Sequence, residues 1–89
     1  MTTRTVRIVN RLGLHARPSA QLVSVTSRFE SEVFISKDGL RINAKSIMGV
    51  MMLAAEKGSE LLIEVDGPDE EEAAEAIVQL LASGFDEEI

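Results

Sequence analysis

The chain is organised around the stretch Gly13-Leu14-His15-Ala16-Arg17-Pro18, which holds its single histidine. A strand-like run precedes this stretch and a helix-like run follows it, so His15 falls at the predicted start of a helix. Pro18 lacks an amide hydrogen, which costs little in a first helical turn. Gly13 permits a tight turn or a positive φ just before the histidine. The stretch therefore predicts a loop that leads directly into a helix.

The same stretch has the chemistry of an anion site. The first amides of a helix have no acceptor within it and carry partial positive charge, so they bind anions. Arg17 adds a guanidinium group that suits phosphate oxygens. A neutral imidazole nitrogen is a nucleophile. We therefore predict that His15 accepts a phosphoryl group held at the helix start. From this stretch alone, an ordinary surface or capping histidine is equally compatible.

Composition narrows the possible functions. The chain has 89 residues, no cysteine and one histidine, which excludes a disulfide framework, a thiolate metal site and a zinc site built on several histidines. No apolar run is long enough to span a bilayer and no signal peptide opens the sequence. We expect a single domain over residues 1–89, in the cytoplasm, with no metal, no cofactor and no substrate pocket.

Charge is distributed unevenly along the chain. Up to residue 55 there are eight Lys/Arg against three acids, a net +5, whereas from Glu56 onward there are twelve acids against Lys57, a net −11. His15 thus lies in the basic part, which favours a phosphorylated group and acidic protein partners. Nucleic acid fits poorly because the acidic part would repel it and because tryptophan and tyrosine are absent. Ordinary solvated charges are the simpler interpretation.

Hydrophobic periodicity predicts four strands and three helices in the order βαββαβα. The predicted strands cover Thr5–Val9, Glu32–Lys37, Leu40–Asn43 and Glu60–Asp66. Inward residues are predicted to include Val6, Ile8, Leu40, Ile42, Leu61, Ile63 and Val65. The first helix, Ala16 to about Ser27, would bury Ala16, Ala20, Leu22 and Val23, and the second would run from Ile47 to about Leu53. The last would start with a capping box of Asp69 and Glu72, bury Ala73, Ile77, Leu80 and Leu81, and end at Gly84. Phe85 would pack back on it before a frayed tail, Asp86–Ile89. This pattern predicts an α+β domain with helices on one face of an antiparallel sheet.

A second constellation follows the third strand. Ser46 is a good N-cap residue, and a phosphoryl group there would face the helix dipole. Ile47, Met48, Met51 and Met52 are more apolar residues than the inward face of so short a helix needs, so some should reach solvent and meet partners. The simpler alternatives are a mere cap and methionines that fill the core.

Two segments together resemble the signatures of the HPr family, the histidine phosphocarriers of the bacterial phosphoenolpyruvate-dependent phosphotransferase system. They are Asn10-Arg11-Leu12-Gly13-Leu14-His15-Ala16-Arg17-Pro18 and Asn43-Ala44-Lys45-Ser46-Ile47-Met48-Gly49-Val50-Met51. The resemblance covers essentially the whole chain, and two long motifs at the right separation are far more specific than one. Met51-Met52-Leu53-Ala54-Ala55 resembles proteobacterial forms, including the carrier of the nitrogen-related branch.

The resemblance implies an open-faced β-sandwich with strand order 1-4-2-3 and three helices on one face. It also implies a monomeric carrier that is not an enzyme. Phospho-enzyme I would phosphorylate Nδ1 of His15, Arg17 would assist the phosphoryl group, and IIA proteins or domains would receive it for sugar uptake, regulation or both. Ser46 matches the serine that an HPr kinase/phosphorylase modifies in bacteria that have one. Ile47, Met48 and Met51 match the surface on which enzyme I and IIA partners dock.

Two other functions remain compatible with the residues. In the first, the protein is a regulatory binding module controlled by phosphorylation of Ser46, and His15 is incidental. In the second, His15 is the general acid or base of an enzyme, although the sequence offers no second catalytic group beside it. An acid-labile phosphohistidine would separate the carrier from both.

Overall fold

The four strands form one antiparallel sheet in the order β1-β4-β2-β3. The computed structural model describes residues 1–86 of the chain. Within them the strands are β1 (Thr2–Arg7), β2 (Glu32–Lys37), β3 (Leu40–Asn43) and β4 (Glu60–Asp66). The helices are α1 (Ala16–Thr26), α2 (Ile47–Met52) and α3 (Glu70–Ala82), followed by a short 3₁₀ turn, Gly84–Asp86. The predicted α+β class, element order and strand order are confirmed.

One face of the sheet forms the core and the other faces solvent. Along β4 the side chains of Leu61, Ile63 and Val65 are fully buried, whereas Leu62 between them is 41% exposed. This alternation is the signature of a sheet that is covered on one side only. The helices therefore lie on a single face, as predicted.

β1 lies earlier in the chain than its predicted span of Thr5–Val9. Its residues pair with β4 from Thr2 to Arg7. Beyond Arg7 the backbone turns to the loop before β4: the Ile8 amide donates to the Ser59 carbonyl and the Gly58 amide donates to the Ile8 carbonyl, both at 2.8 Å. Ile8 is nevertheless buried on the predicted face, and Val6 packs against the same core.

The predicted inner face of α1 is wrong at Ala16 and Ala20, which are exposed. The residues that this helix buries are Pro18, Ser19, Leu22 and Thr26. Two of them are polar and satisfy their hydroxyls internally. Ser19 donates to the Leu14 carbonyl at 3.2 Å. Thr26 donates to the Ala44 carbonyl at 2.8 Å. These bonds remove the usual cost of burying a hydroxyl.

The start of α3 differs from the predicted capping box. The Asp69 side chain makes no cap hydrogen bond to the helix. It accepts instead from the Ser31 hydroxyl, the Ser31 amide and the Glu30 amide, the two amides lying 2.9 Å away. These hydrogen bonds, the one from the Ser31 hydroxyl foremost, lower the pKa of Asp69. Asp69 therefore joins α3 to the connection between α1 and β2.

The remaining differences lie at element ends. Leu40 was predicted to face inward but is 41% exposed, because it stands at the hairpin end of β3. Along α3, Ala73, Ile77 and Leu81 are buried as predicted, whereas Leu80 is only half-buried. Phe85 packs back into the core as predicted. Of the predicted tail, residues 87–89 lie outside the described residues.

Candidate functional site

His15 is the N-cap residue of α1, which confirms its predicted place at the start of a helix. Its backbone is extended (φ −79°, ψ −172°), and its carbonyl accepts the Ser19 amide at 3.0 Å, which begins the helix. The half-buried imidazole makes no cap hydrogen bond. The amides of Ala16 and Arg17, in the first turn, have no acceptor within the helix. An anion bound at His15 would therefore lie at the positive end of α1.

The loop before His15 is held by Gly13. Its φ is +67°, a conformation that favours glycine, and a Cβ added there would lie 2.2 Å from the carbonyl oxygen of Ala55. That carbonyl accepts the amide of Leu14 at 2.9 Å. The side chain of Asn10 donates to the Gly13 carbonyl at 2.8 Å. The predicted positive φ at Gly13 is thus confirmed, and it allows close approach to the segment that follows α2.

Arg17 lies in the first turn of α1 with its side chain exposed. Within residues 1–86 its guanidinium makes neither a hydrogen bond nor an ion pair. Three other arginines are engaged: Arg4 with Glu71, Arg7 with Glu60 and Arg41 with Glu64, at 3.0–3.3 Å. Arg17 is consequently a cation near the helix start that can meet an incoming anion.

Ser46 caps α2 as the sequence predicted. Its side-chain oxygen accepts the Gly49 amide at 3.1 Å, and its carbonyl accepts the Val50 amide at 3.0 Å. The residue is exposed, so its hydroxyl is accessible from solvent while it caps the helix. Val50 is the buried residue of α2. Every other apolar side chain of this short helix can therefore face outward.

Four side chains of α2 form an exposed apolar surface, which we call the methionine face. They line a shallow groove and are Ile47 (45% exposed), Met48 (76%), Met51 (44%) and Met52 (62%). The interpretation of these methionines as core filler is wrong. The expected docking set of Ile47, Met48 and Met51 omits Met52, which faces solvent beside them. The clustering of methionines in the sequence had already included Met52 among the side chains that could reach solvent.

A backbone hydrogen bond connects the loop before His15 to the segment that follows the methionine face. Ala55, three residues beyond Met52, accepts the Leu14 amide, and Leu14 directly precedes His15. Lys37 donates to the carbonyl of Leu53, at the end of α2, at 3.3 Å. The structure thus brings the two constellations of the sequence to neighbouring positions, one at the start of α1 and the other on α2.

The described residues contain no group of three or more His, Cys, Asp and Glu side chains arranged to hold a metal ion. None of their helices has both the length and the apolar character needed to cross a bilayer. The arrangement can bind an anion at the start of α1 and offer a nucleophilic imidazole to it. It can also present an apolar surface to another protein.

Comparison with known proteins places this arrangement in a class. The family model described as "PTS HPr component phosphorylation site" matches residues 2–83. The chain is 52% identical over 88 residues to "Phosphocarrier protein HPr" of Treponema pallidum, covering 99% of this chain and 100% of that protein. It is 42% identical over 86 residues to "Phosphocarrier protein NPr" of Escherichia coli, covering 96% of each. The crystal structure of HPr-C-His from Thermoanaerobacter tengcongensis superposes with a TM-score of 0.96 at 45% identity, covering 100% of both chains. The chain belongs to the PTS HPr family.

Proposed function

We propose that this protein is a phosphocarrier of the phosphoenolpyruvate-dependent phosphotransferase system, which accepts a phosphoryl group on Nδ1 of His15 from phospho-enzyme I and passes it to IIA proteins or domains. The observation that carries the proposal is the placement of His15 at the start of α1, two residues before the exposed Arg17. The family to which the chain belongs consists of carriers rather than enzymes, which supports the same conclusion.

Transfer needs positioning and charge stabilisation more than covalent machinery. The imidazole lone pair attacks phosphorus, and the bond from phosphorus to the donor breaks. The first amides of α1 and the guanidinium of Arg17 then stabilise the negative oxygens of the phosphoryl group. A carrier of this kind exposes the same nitrogen to its donor and its acceptor proteins in turn.

We infer that enzyme I and IIA partners dock on the methionine face. It offers flexible apolar side chains that adapt to surfaces of different shape. The face ends three residues before Ala55, whose carbonyl accepts the Leu14 amide next to His15, so a partner that covers the face would reach His15. The carrier would act as a cytoplasmic monomer, since self-association through this face would block its partners. A dimer seen by size-exclusion chromatography, with chemical cross-links that place its interface on the methionine face, would contradict this.

Ser46 is our proposed regulatory site for an HPr kinase/phosphorylase. A phosphoryl group there would add about two negative charges beside Ile47 and Met48 while still facing the dipole of α2. We expect Ser46→Asp to leave the fold intact and to slow acceptance from enzyme I. Ser46→Asn, which retains a capping side chain without charge, is the matched control. Equal rates for both variants across a range of salt concentrations would refute an electrostatic mechanism.

The decisive experiment is intact-mass spectrometry after incubation with phosphoenolpyruvate and a catalytic amount of enzyme I. One acid-labile phosphate is expected on the wild-type protein and none on a folded His15→Ala variant. Acceptance retained by that variant would refute the assignment of His15. No acceptance by the wild-type protein, with an active enzyme I control, would favour the regulatory binding module.

The output of the carrier is tested by a second transfer. Phosphorylated protein would be mixed with IIA proteins of a sugar-uptake system and of the nitrogen-related branch, and loss of the acid-labile phosphate would be followed in each. Both classes are compatible with the proposal, because relatives named HPr and NPr both match nearly the whole chain. The faster acceptor identifies the branch.

A further inference from the structure

The methionine face concentrates three thioethers on one six-residue helix. Met48, Met51 and Met52 are 76%, 44% and 62% exposed, so oxidants in solution meet all three side chains. The chain contains no cysteine, so no thiol competes for a two-electron oxidant. A thioether is apolar and flexible, whereas a sulfoxide is polar and chiral.

We propose that Met48, Met51 and Met52 are a site of reversible oxidation by hydrogen peroxide, and that their sulfoxides weaken docking of the proteins that exchange phosphoryl groups with His15. This rests on the proposed function, since the face must be a docking surface for its polarity to matter. In the step itself, a sulfur lone pair attacks one peroxide oxygen, a sulfur–oxygen bond forms and the oxygen–oxygen bond breaks. The leaving hydroxide takes the proton of the newly bound hydroxyl. Sulfur is oxidised by two electrons, and the products are the sulfoxide and water.

Oxidation at this face leaves the fold intact, unlike oxidation of a core methionine. The buried residue of α2 is Val50, and the hydrogen bond from Gly49 to Ser46 that caps the helix involves no sulfur. The buried core cluster contains no methionine among the described residues. The change is therefore confined to the polarity and shape of the exposed surface.

The fourth methionine provides an internal reference. Met1 is 66% exposed but lies immediately before β1, where its terminal ammonium pairs with Glu70 at 3.3 Å. Oxidation of Met1 leaves the methionine face chemically unchanged. An effect that depends on the face must therefore disappear when its three sulfurs are removed, although Met1 remains.

The test measures phosphoryl acceptance from enzyme I before and after peroxide treatment, with the peroxide removed by catalase. Peptide mapping by mass spectrometry locates each added oxygen, and circular dichroism checks the fold. For the wild-type protein as substrate, we expect the KM of enzyme I to rise by about tenfold or more for each oxidised methionine that enzyme I covers. We expect little change in kcat. Treatment with both methionine sulfoxide reductases and a thiol reductant should restore the original KM.

The matched variant is Met48→Leu/Met51→Leu/Met52→Leu, compared only with itself before and after peroxide. Its KM should not change on treatment, whatever its starting value. The same rise in this variant, an unchanged KM in a wild-type protein that carries sulfoxides at these positions, or loss of the fold on oxidation would each overturn the proposal. If unoxidised protein accepts no phosphoryl group, the proposed function fails and this inference fails with it. Normal acceptance before and after oxidation refutes the inference alone.

Discussion

Replacing Gly13 by alanine should cost about 3 kcal/mol of folding stability, because two effects combine there. The first is conformational: at φ +67° an alanine costs about 1–2 kcal/mol, partly offset by about 0.4–1 kcal/mol from its less flexible unfolded state. The second is steric. The new Cβ would lie 2.2 Å from the Ala55 carbonyl oxygen and 2.9 Å from Cα of Glu56, so one backbone segment must move.

That movement breaks the hydrogen bond from the Leu14 amide to Ala55. Leu14 is 5% exposed, and a buried amide without its acceptor costs about 1–3 kcal/mol. Because Leu14 directly precedes His15, the same displacement should lower phosphoryl acceptance at temperatures where the variant is still folded.

Gly58→Ala is the matched control. Gly58 also has a positive φ, +91°, but a Cβ there would meet no atom within 4 Å. It should therefore cost only the conformational part, about 1 kcal/mol. Urea titration of both variants with a shared m-value isolates the steric part as their difference, about 2 kcal/mol, or roughly thirtyfold in the unfolding constant. Equal midpoints would refute the claim that Gly13 is required for close approach to Ala55.

Three further predictions concern single side chains. Arg17→Ala should slow phosphoryl acceptance without lowering the melting temperature, since Arg17 has no ion pair within residues 1–86. A lowered melting temperature of Arg17→Ala would contradict this prediction. Arg17→Lys, which keeps the charge, should restore part of the rate. Ala54→Gly should raise stability by about 0.5–1 kcal/mol, because Ala54 has φ +48°; a lower urea midpoint would show that the strain is absent. The pKa of Asp69 is lowered in the folded protein, chiefly by the Ser31 hydroxyl. The ionised carboxylate therefore stabilises the fold at pH values above its unfolded-state pKa, and this stabilisation is lost as the pH falls through its folded-state pKa. Thermal melts in the acid range should therefore show a shallower pH dependence for Asp69→Asn than for the wild-type protein, and parallel curves would refute the role of Asp69.

The sheet could be predicted from the sequence because its signal is local. Leu61, Ile63 and Val65 stand at every second position, with Leu62 and Glu64 between them, and a strand points such a set to one face of the sheet. The place of His15 was predictable for the same reason, since glycine and proline mark the loop and the helix start within a few residues. These conclusions need no knowledge of what lies elsewhere in the fold.

Two of the differences share one physical cause, which is a hydrogen bond between residues far apart in the chain. Thr26 is buried because it donates to the Ala44 carbonyl, and Asp69 leaves its helix because Ser31 offers a hydroxyl and an amide. Periodicity treats a polar side chain as an outward one, and a capping box assumes a local partner. Neither periodicity nor the capping-box pattern takes account of a hydrogen-bond partner that lies far away in the sequence.

The same distinction governs the site. The chemistry of His15 and Arg17 is local, whereas their relation to the methionine face depends on the long-range contact between Leu14 and Ala55. α2 buries Val50 and otherwise presents its apolar side chains to solvent, so a change of charge or polarity on this helix costs the core little. Modification at Ser46 or at the methionines should therefore alter which partners dock while the loop before His15 keeps its geometry. A change at Gly13 should do the reverse, disturbing the loop while the exposed face remains. Comparing KM with kcat for the two kinds of variant tests this separation: surface changes should raise KM, and the Gly13 change should lower kcat.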